Sequence, residues 1–200
     1  RRNKPGRLRG TLMVLAAVGL GALAIFWLPD ALRQQAASVV PQSKRVEIGA
    51  TVLGHLQRLT GPTCRGDMGT RALARLQIRL LGRDSAGSIV VMPTGTGNAF
   101  ALPGGIIVVD QSLVQSLDDP AIVAGFILSA HAERRVTDPI TPILSDAPLS
   151  VTARLLTTSI LPPDVLRDYA DRLRGGPFPV PPMDELLIAF SDARAISTPF

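Results

Sequence analysis

Residues 11–29, TLMVLAAVGLGALAIFWLP, form a run of 19 residues without a charge. A charge-free segment of that length belongs in an apolar medium, and the core of a bilayer takes about 20 such residues as a helix. Trp27 stands near the far end, where interfacial aromatics sit, and Asp30 and Arg33 close the run. Arg1, Arg2, Lys4, Arg7 and Arg9 precede it, with no acid among residues 1–10. The positive-inside rule therefore predicts a single-pass anchor in the inner (cell) membrane. The N-terminus would be cytoplasmic and the rest periplasmic or otherwise extracytoplasmic. A cleaved signal peptide is the competing reading. Its apolar region is usually about 7–15 residues, and Ala36-Ala37-Ser38 makes a poor cleavage site.

The basic tail also explains the charge balance. The chain carries 21 Lys and Arg against 16 Asp and Glu, a formal net charge of +5. Five of those cations lie in residues 1–10, so the remainder is neutral. A sequence pI near 10.6 would otherwise suggest a nucleic-acid partner. With aromatics at 4% and no basic patch beyond the tail, nucleic acid is excluded as a partner. Hydrophobic residues at 46% exclude a disordered chain. The lone cysteine, Cys64, supports neither an internal disulfide nor a cysteine zinc cluster, and His55 and His131 are the only histidines.

Beyond the anchor, residues 30–44 read as a linker, polar from Gln34 to Lys44, and 45–200 as one domain. Ser43 is placed to cap a helix over Arg45–Leu59 with Val46, Gly49/Ala50, Leu53 and Leu56 on one face. Gly61-Pro62 ends it, and a second amphipathic helix covers about Met68–Leu81. Three short apolar runs follow, Ser88–Met92, Asn98–Leu102 and Ile106–Val109, separated by turn residues; they predict a three-stranded meander. Asp119-Pro120 then opens an apolar helix to about Val136. Further helices are expected over Leu149–Ile160, Pro163–Leu173 and Asp184–Ile196, with Gly175–Pro182 as a connector. The fold class is α+β, helix-dominated, with a small three-stranded sheet.

Two stretches invite chemistry. Gly95-Thr-Gly97 begins like a dinucleotide fingerprint, but its third glycine position is Phe100 and a strand-like run follows, so these are turn glycines. His131-Ala132-Glu133-Arg134-Arg135 sits deep in an apolar helix, in the setting of the zinc motif His-Glu-x-x-His. Ala132 occupies the general-base position and has no proton acceptor. Arg135 occupies the second ligand position, and a guanidinium has no lone pair to give. Glu133 points roughly 200° around the helix from His131. His55 could join it only through tertiary folding.

The order Asn98-Ala-Phe-Ala-Leu-Pro-Gly-Gly105, Ile106–Val109, then a helix with Ala130-His131 near its middle resembles the HtpX-like membrane metallopeptidases, metallopeptidase family forty-eight. That family carries N-A-F-A-x-P-G-G ahead of an A-H-E-x-x-H helix. Glu47-Ile-Gly49, Cys64 and the leucine-rich helix ending at Leu81-Gly82 look like its entry region, so the likeness covers about residues 43–135. The resemblance implies a zincin-like domain, with 45–200 incomplete at its C-terminus. It also implies a zinc cofactor, with His131 as a metal ligand, and a substrate-pairing strand at Asn98, Ala99, Phe100 and Ala101. The family's later E-x-x-A-D pattern falls on Ile188-Ala-Phe-Ser-Asp192. Ile188 then stands at the third ligand position, and Asp192 at the position that supports the first histidine without touching the metal.

Ala132, Arg135 and Ile188 depart from that pattern, which leaves one histidine where catalytic zinc takes about three protein ligands. The expectation is a membrane-anchored, metallopeptidase-family protein, catalytically impaired, that acts on or binds polypeptide or a membrane-protein partner outside the cytoplasm. Arg135 would pair with Asp192 or another carboxylate in place of the metal. An active zinc metalloendopeptidase with unusual ligands and a purely structural membrane-anchored module are the alternatives. Phe100 and Leu102 share a strand face and serve packing under any of these readings.

Overall fold

The computed structural model describes residues 12–13, 15–19, 28–116 and 119–197. The predicted anchor over 11–29 lies largely outside them. Residues 12–13 and 15–19 are helical and expose Leu12, Met13, Leu15 and Val18. Among the described residues no helix is long and apolar enough to cross a membrane.

The predicted linker is mostly helix. Helix α1 spans Leu28–Ser38, and Ala36, Ala37 and Val40 are buried in the core. One side chain ties this segment to distant parts of the chain. Arg45 donates from Nη2 to the Ala37 carbonyl (2.6 Å) and from Nε to the Val40 carbonyl (3.0 Å). Its Nη1 stands 2.7 Å from the Asp138 carboxylate. The glutamines and alanines of 34–37 look like linker only while that distant pairing is unknown.

Helix α2 spans Gln42–Thr60. Pro41 is its N-cap residue with no side-chain cap, and Ser43, expected to cap, lies inside the helix. The buried stripe is Ile48, Gly49, Val52, His55 and Leu56, while Val46 and Ala50 are exposed. Helix α3 spans Asp67–Leu81, with Leu73, Leu76 and Leu80 against the core.

Strands β1 (Ile89–Met92), β2 (Ala99–Ala101) and β3 (Ile107–Asp110) form one sheet in the order β1-β3-β2. The three predicted strands exist, but they are not a meander. β1 pairs parallel to β3, and β2 pairs antiparallel to β3 on its other side. The 93–98 loop must therefore cross the end of β3, where the buried Asp110 receives it. Its carboxylate accepts from the Gly97 N–H at 2.6 Å and caps the next short helix, α4 (Gln111–Gln115), through the Ser112 N–H at 3.2 Å. The Asp110 N–H donates to the Asn98 carbonyl at 3.0 Å.

Helices cover both faces of this sheet, which is why its strands read as continuous apolar runs. One face, with Met92, Phe100, Leu102 and Val108, packs on α1, α2 and the helices α6 (Thr141–Ser145), α7 (Leu149–Thr158) and α8 (Pro163–Leu173). The other, with Ile89, Val91, Ala99, Ile107 and Val109, packs on α3, α5 (Pro120–Val136) and α9 (Met183–Asp192). The Asp119 carboxylate accepts from the Ala121 N–H at 2.8 Å, and with Pro120 it starts α5 as the residues dictate. The last helix stops at Asp192, short of the expected Ile196. The architecture is helix-dominated α+β with a small three-stranded sheet.

Between β2 and β3 the chain makes a 3-10 turn over Pro103–Gly105 that lies directly on α2. Gly104 has φ 77°, and a Cβ there would collide with the Val46 backbone. From the α2 side, a Cβ on Gly49 would overlap the Pro103 carbonyl. Two glycines from distant parts of the chain thus permit one close helix–turn contact.

Candidate functional site

β2 is an edge strand, and its backbone divides its bonding by parity. The Asn98 carbonyl accepts from Asp110, and the Leu102 N–H donates to the Ile106 carbonyl at 2.8 Å, so the even-numbered residues face β3. Ala99 and Ala101 face outward. The Ala99 N–H is taken by the Asn98 side chain, whose Oδ1 accepts it at 2.8 Å. The Ala101 N–H and the carbonyls of Ala99 and Ala101 have no protein partner among the described residues. This is the unpaired edge that another extended chain can join.

The edge opens on a cavity of about 450 Å³. Its floor is Asn98, Ala99, Phe100 and Ala101. One wall is the α5 stripe of Phe126, Ala130, Glu133 and Thr137, at the three- and four-residue spacing of a single helix face. The opposite wall is Tyr169, Arg172 and Leu173 of α8 with the connector from Gly176 to Val180. The Phe178 ring stacks on Phe100 with centroids 4.8 Å apart and planes 7° from parallel. At the α8 end, Arg172 bonds Asp146 at 3.0 Å and stands 5.7 Å from the centre of the Tyr169 ring. Burial pushes the Tyr169 phenol up to about 12. The cavity is therefore mostly apolar, with the Arg172–Asp146 pair at one end and Glu133 and Arg134 on the α5 wall.

The zinc-motif residues lie elsewhere on α5. His131 lines a second, smaller cavity against the Pro103–Gly105 turn, together with Arg134 and Arg135. Its imidazole is held down to about 4, first by burial and then by the Arg134 and Arg135 charges, while Asp192 acts in the opposite sense. Its Nδ1 is buried without a hydrogen-bond partner. Ala132 is fully buried in the core on the α5 and α9 face of the sheet, Ile188 is 44% exposed on α9, and Asp192 stands 3.6 Å from Arg135. The structure thus brings His131, Arg135 and Asp192 to one flank, leaves Ala132 facing the core, and puts Glu133 on the cleft wall.

His55 does not join them. It is buried between α2 and α8, its Nδ1 2.6 Å from Arg58, and its pKa is lowered by burial and then by Arg58 and Arg167. Among the described residues no three His, Cys, Asp or Glu side chains are grouped to hold a metal ion. The zinc-motif positions offer one imidazole, a guanidinium and two alkyl side chains, with the nearby carboxylate engaged by the guanidinium. That donor set does not fit zinc.

Sequence reasoning missed the far wall of the cleft. Tyr169 and Arg172 carry no local signal. Phe178, a single aromatic between Pro177 and Pro179, could have been noticed as the one apolar anchor in an otherwise featureless connector. No protein-family model matches this chain, and no curated protein matches it significantly.

Proposed function

We propose that this protein is a membrane-anchored, metallopeptidase-like polypeptide-binding protein that has lost zinc hydrolysis. Its zincin-like domain lies outside the cytoplasm. The reading rests on one observation above the rest: the outward edge of β2, with the Ala101 N–H and the carbonyls of Ala99 and Ala101 unpaired, lines a largely apolar cavity of about 450 Å³. Adding a strand to an exposed edge draws affinity from main-chain hydrogen bonds and specificity from pockets for alternate side chains, and it needs no metal. The resemblance of residues 43–135 to the HtpX-like family supports the same strand as the substrate partner. The zinc-motif residues support binding without cleavage, because a lone histidine holds zinc poorly and Ala132 offers no base.

A photoreactive residue at Val180, on the cleft wall and 81% exposed, tests this reading when full-length chain is mixed with β-casein. Crosslinks are expected there and not from Met68, equally exposed on α3. The casein should stay intact with or without a chelator. Chelator-sensitive cleavage would replace binding with an active metalloendopeptidase, and equal crosslinking at both positions would leave only a structural module.

A further inference from the structure

The smaller cavity, about 240 Å³, lies between the Pro103–Gly105 turn and the end of α5. Three guanidinium side chains line it, Arg45, Arg134 and Arg135, and among the described residues no Asp or Glu does. Arg45 is spoken for by Asp138. Arg134 is half-buried, and its hydrogen bond goes to the neutral Gly105 carbonyl at 3.2 Å. Among the described residues no carboxylate pairs with it. Burial works against its charge with nothing to offset it. Arg135 has a carboxylate at 3.6 Å, but the two side chains are 46% and 70% exposed and most of the guanidinium's five donors stay free.

We propose that this cavity is an oxyanion site that takes a phosphate group between Arg134 and Arg135. A half-buried cation without a counter-ion is a standing electrostatic deficit, and an incoming anion relieves it. The planar guanidinium fork matches phosphate oxygens two at a time. Phosphate suits two forks better than a carboxylate does, because it presents more oxygens and about two negative charges at neutral pH. The cavity has room for the group. The neutral His131 imidazole on the same wall brings no negative charge. The site is a separate cavity from the polypeptide cleft, although Arg134 and Pro139 border both; His131 and Arg135 line the smaller cavity and do not line the cleft.

The test uses full-length chain in maltoside micelles, which contain no phosphate. Inorganic phosphate at 10 mM should raise the melting temperature by about 3 °C over chloride at equal ionic strength, and calorimetric titration should give a Kd near or below about 1 mM. The double variant Arg134→Gln/Arg135→Gln should bind at least about 10-fold more weakly. If it does not fold, Arg135→Gln alone, at a side chain about half exposed, should fold and still weaken binding. A second arm uses nanodiscs with phosphatidic acid. Response there without response to inorganic phosphate assigns the group to a lipid headgroup. No response in either arm, or an unchanged response in the variants, overturns the proposal.

Discussion

The Arg135 guanidinium stands 3.6 Å from the Asp192 carboxylate and links the last turn of α5 to the end of α9. The pair occupies the flank where the resemblance would put a zinc ion. Its side chains are 46% and 70% exposed, so water and salt screen it, and such pairs contribute about 0–1 kcal/mol. Arg135→Ala should change the urea unfolding free energy by less than about 1 kcal/mol. A loss of several kcal/mol would mean that the pair holds the two helices together as a metal would.

Ala132, which the resemblance puts at the general-base position, has no room for a larger side chain. Its side chain is fully buried, in the apolar cluster that also holds Leu186, Ala189 and Phe190 of α9. Ala132→Glu, the change that restores the general base on paper, would force a carboxyl group into apolar packing at a cost of about 3 kcal/mol or more. Combined with Arg135→His and Ile188→Glu, it should yield a destabilised protein without stoichiometric zinc. Elemental analysis after dialysis against zinc reads this out, and one zinc per chain would contradict it.

His131 makes stability depend on pH. Its folded pKa, about 4, lies below the ordinary value of 6.5, so the unfolded chain binds the extra proton between those limits. Stability from this group is full above pH 6.5 and is lost as pH falls toward 4. His55, also lowered, acts in the same direction. Urea midpoints should drop between pH 7.5 and 5.5, and the drop should be smaller in His131→Gln. An equal drop in that variant would remove His131 from the account.

Gly49 should tolerate no side chain. A Cβ there meets the Pro103 carbonyl, which is backbone and cannot swing aside, so Gly49→Ala should cost about 2–3 kcal/mol despite alanine's better helix propensity. Gly54, on the same helix with open space around it, is the control and should gain stability on the same change, as read by urea unfolding.

Local chemistry made most elements legible. Asp119-Pro120 announced α5, Gly61-Pro62 ended α2, and the alternating run at 98–102 marked the strand that now floors the cleft. What stayed hidden depended on pairing across the chain. In the order β1-β3-β2 the 93–98 loop crosses the end of β3 and bonds to Asp110, and a buried carboxylate at a strand end has no local signature. Helix α1 is held by Arg45 and Asp138, 93 residues apart. The short helices α4 and α6 are too brief for their periodicity to be read. Within the candidate site, the floor was legible because strands announce themselves. The α8 and connector wall was not, because it meets the floor only through tertiary packing.

The central claim is that the outward edge of β2 binds extended polypeptide. Ala101→Pro removes the outward N–H while leaving the bonds to β3 in place, and proline is tolerated at such edge positions. Fluorescence anisotropy of labelled β-casein, titrated with full-length chain in maltoside micelles, measures the consequence. Saturable binding by the native chain is expected, and at least about 10-fold weaker binding by Ala101→Pro, with little change in its urea midpoint. Equal binding by the two proteins, or none by the native chain, would contradict it.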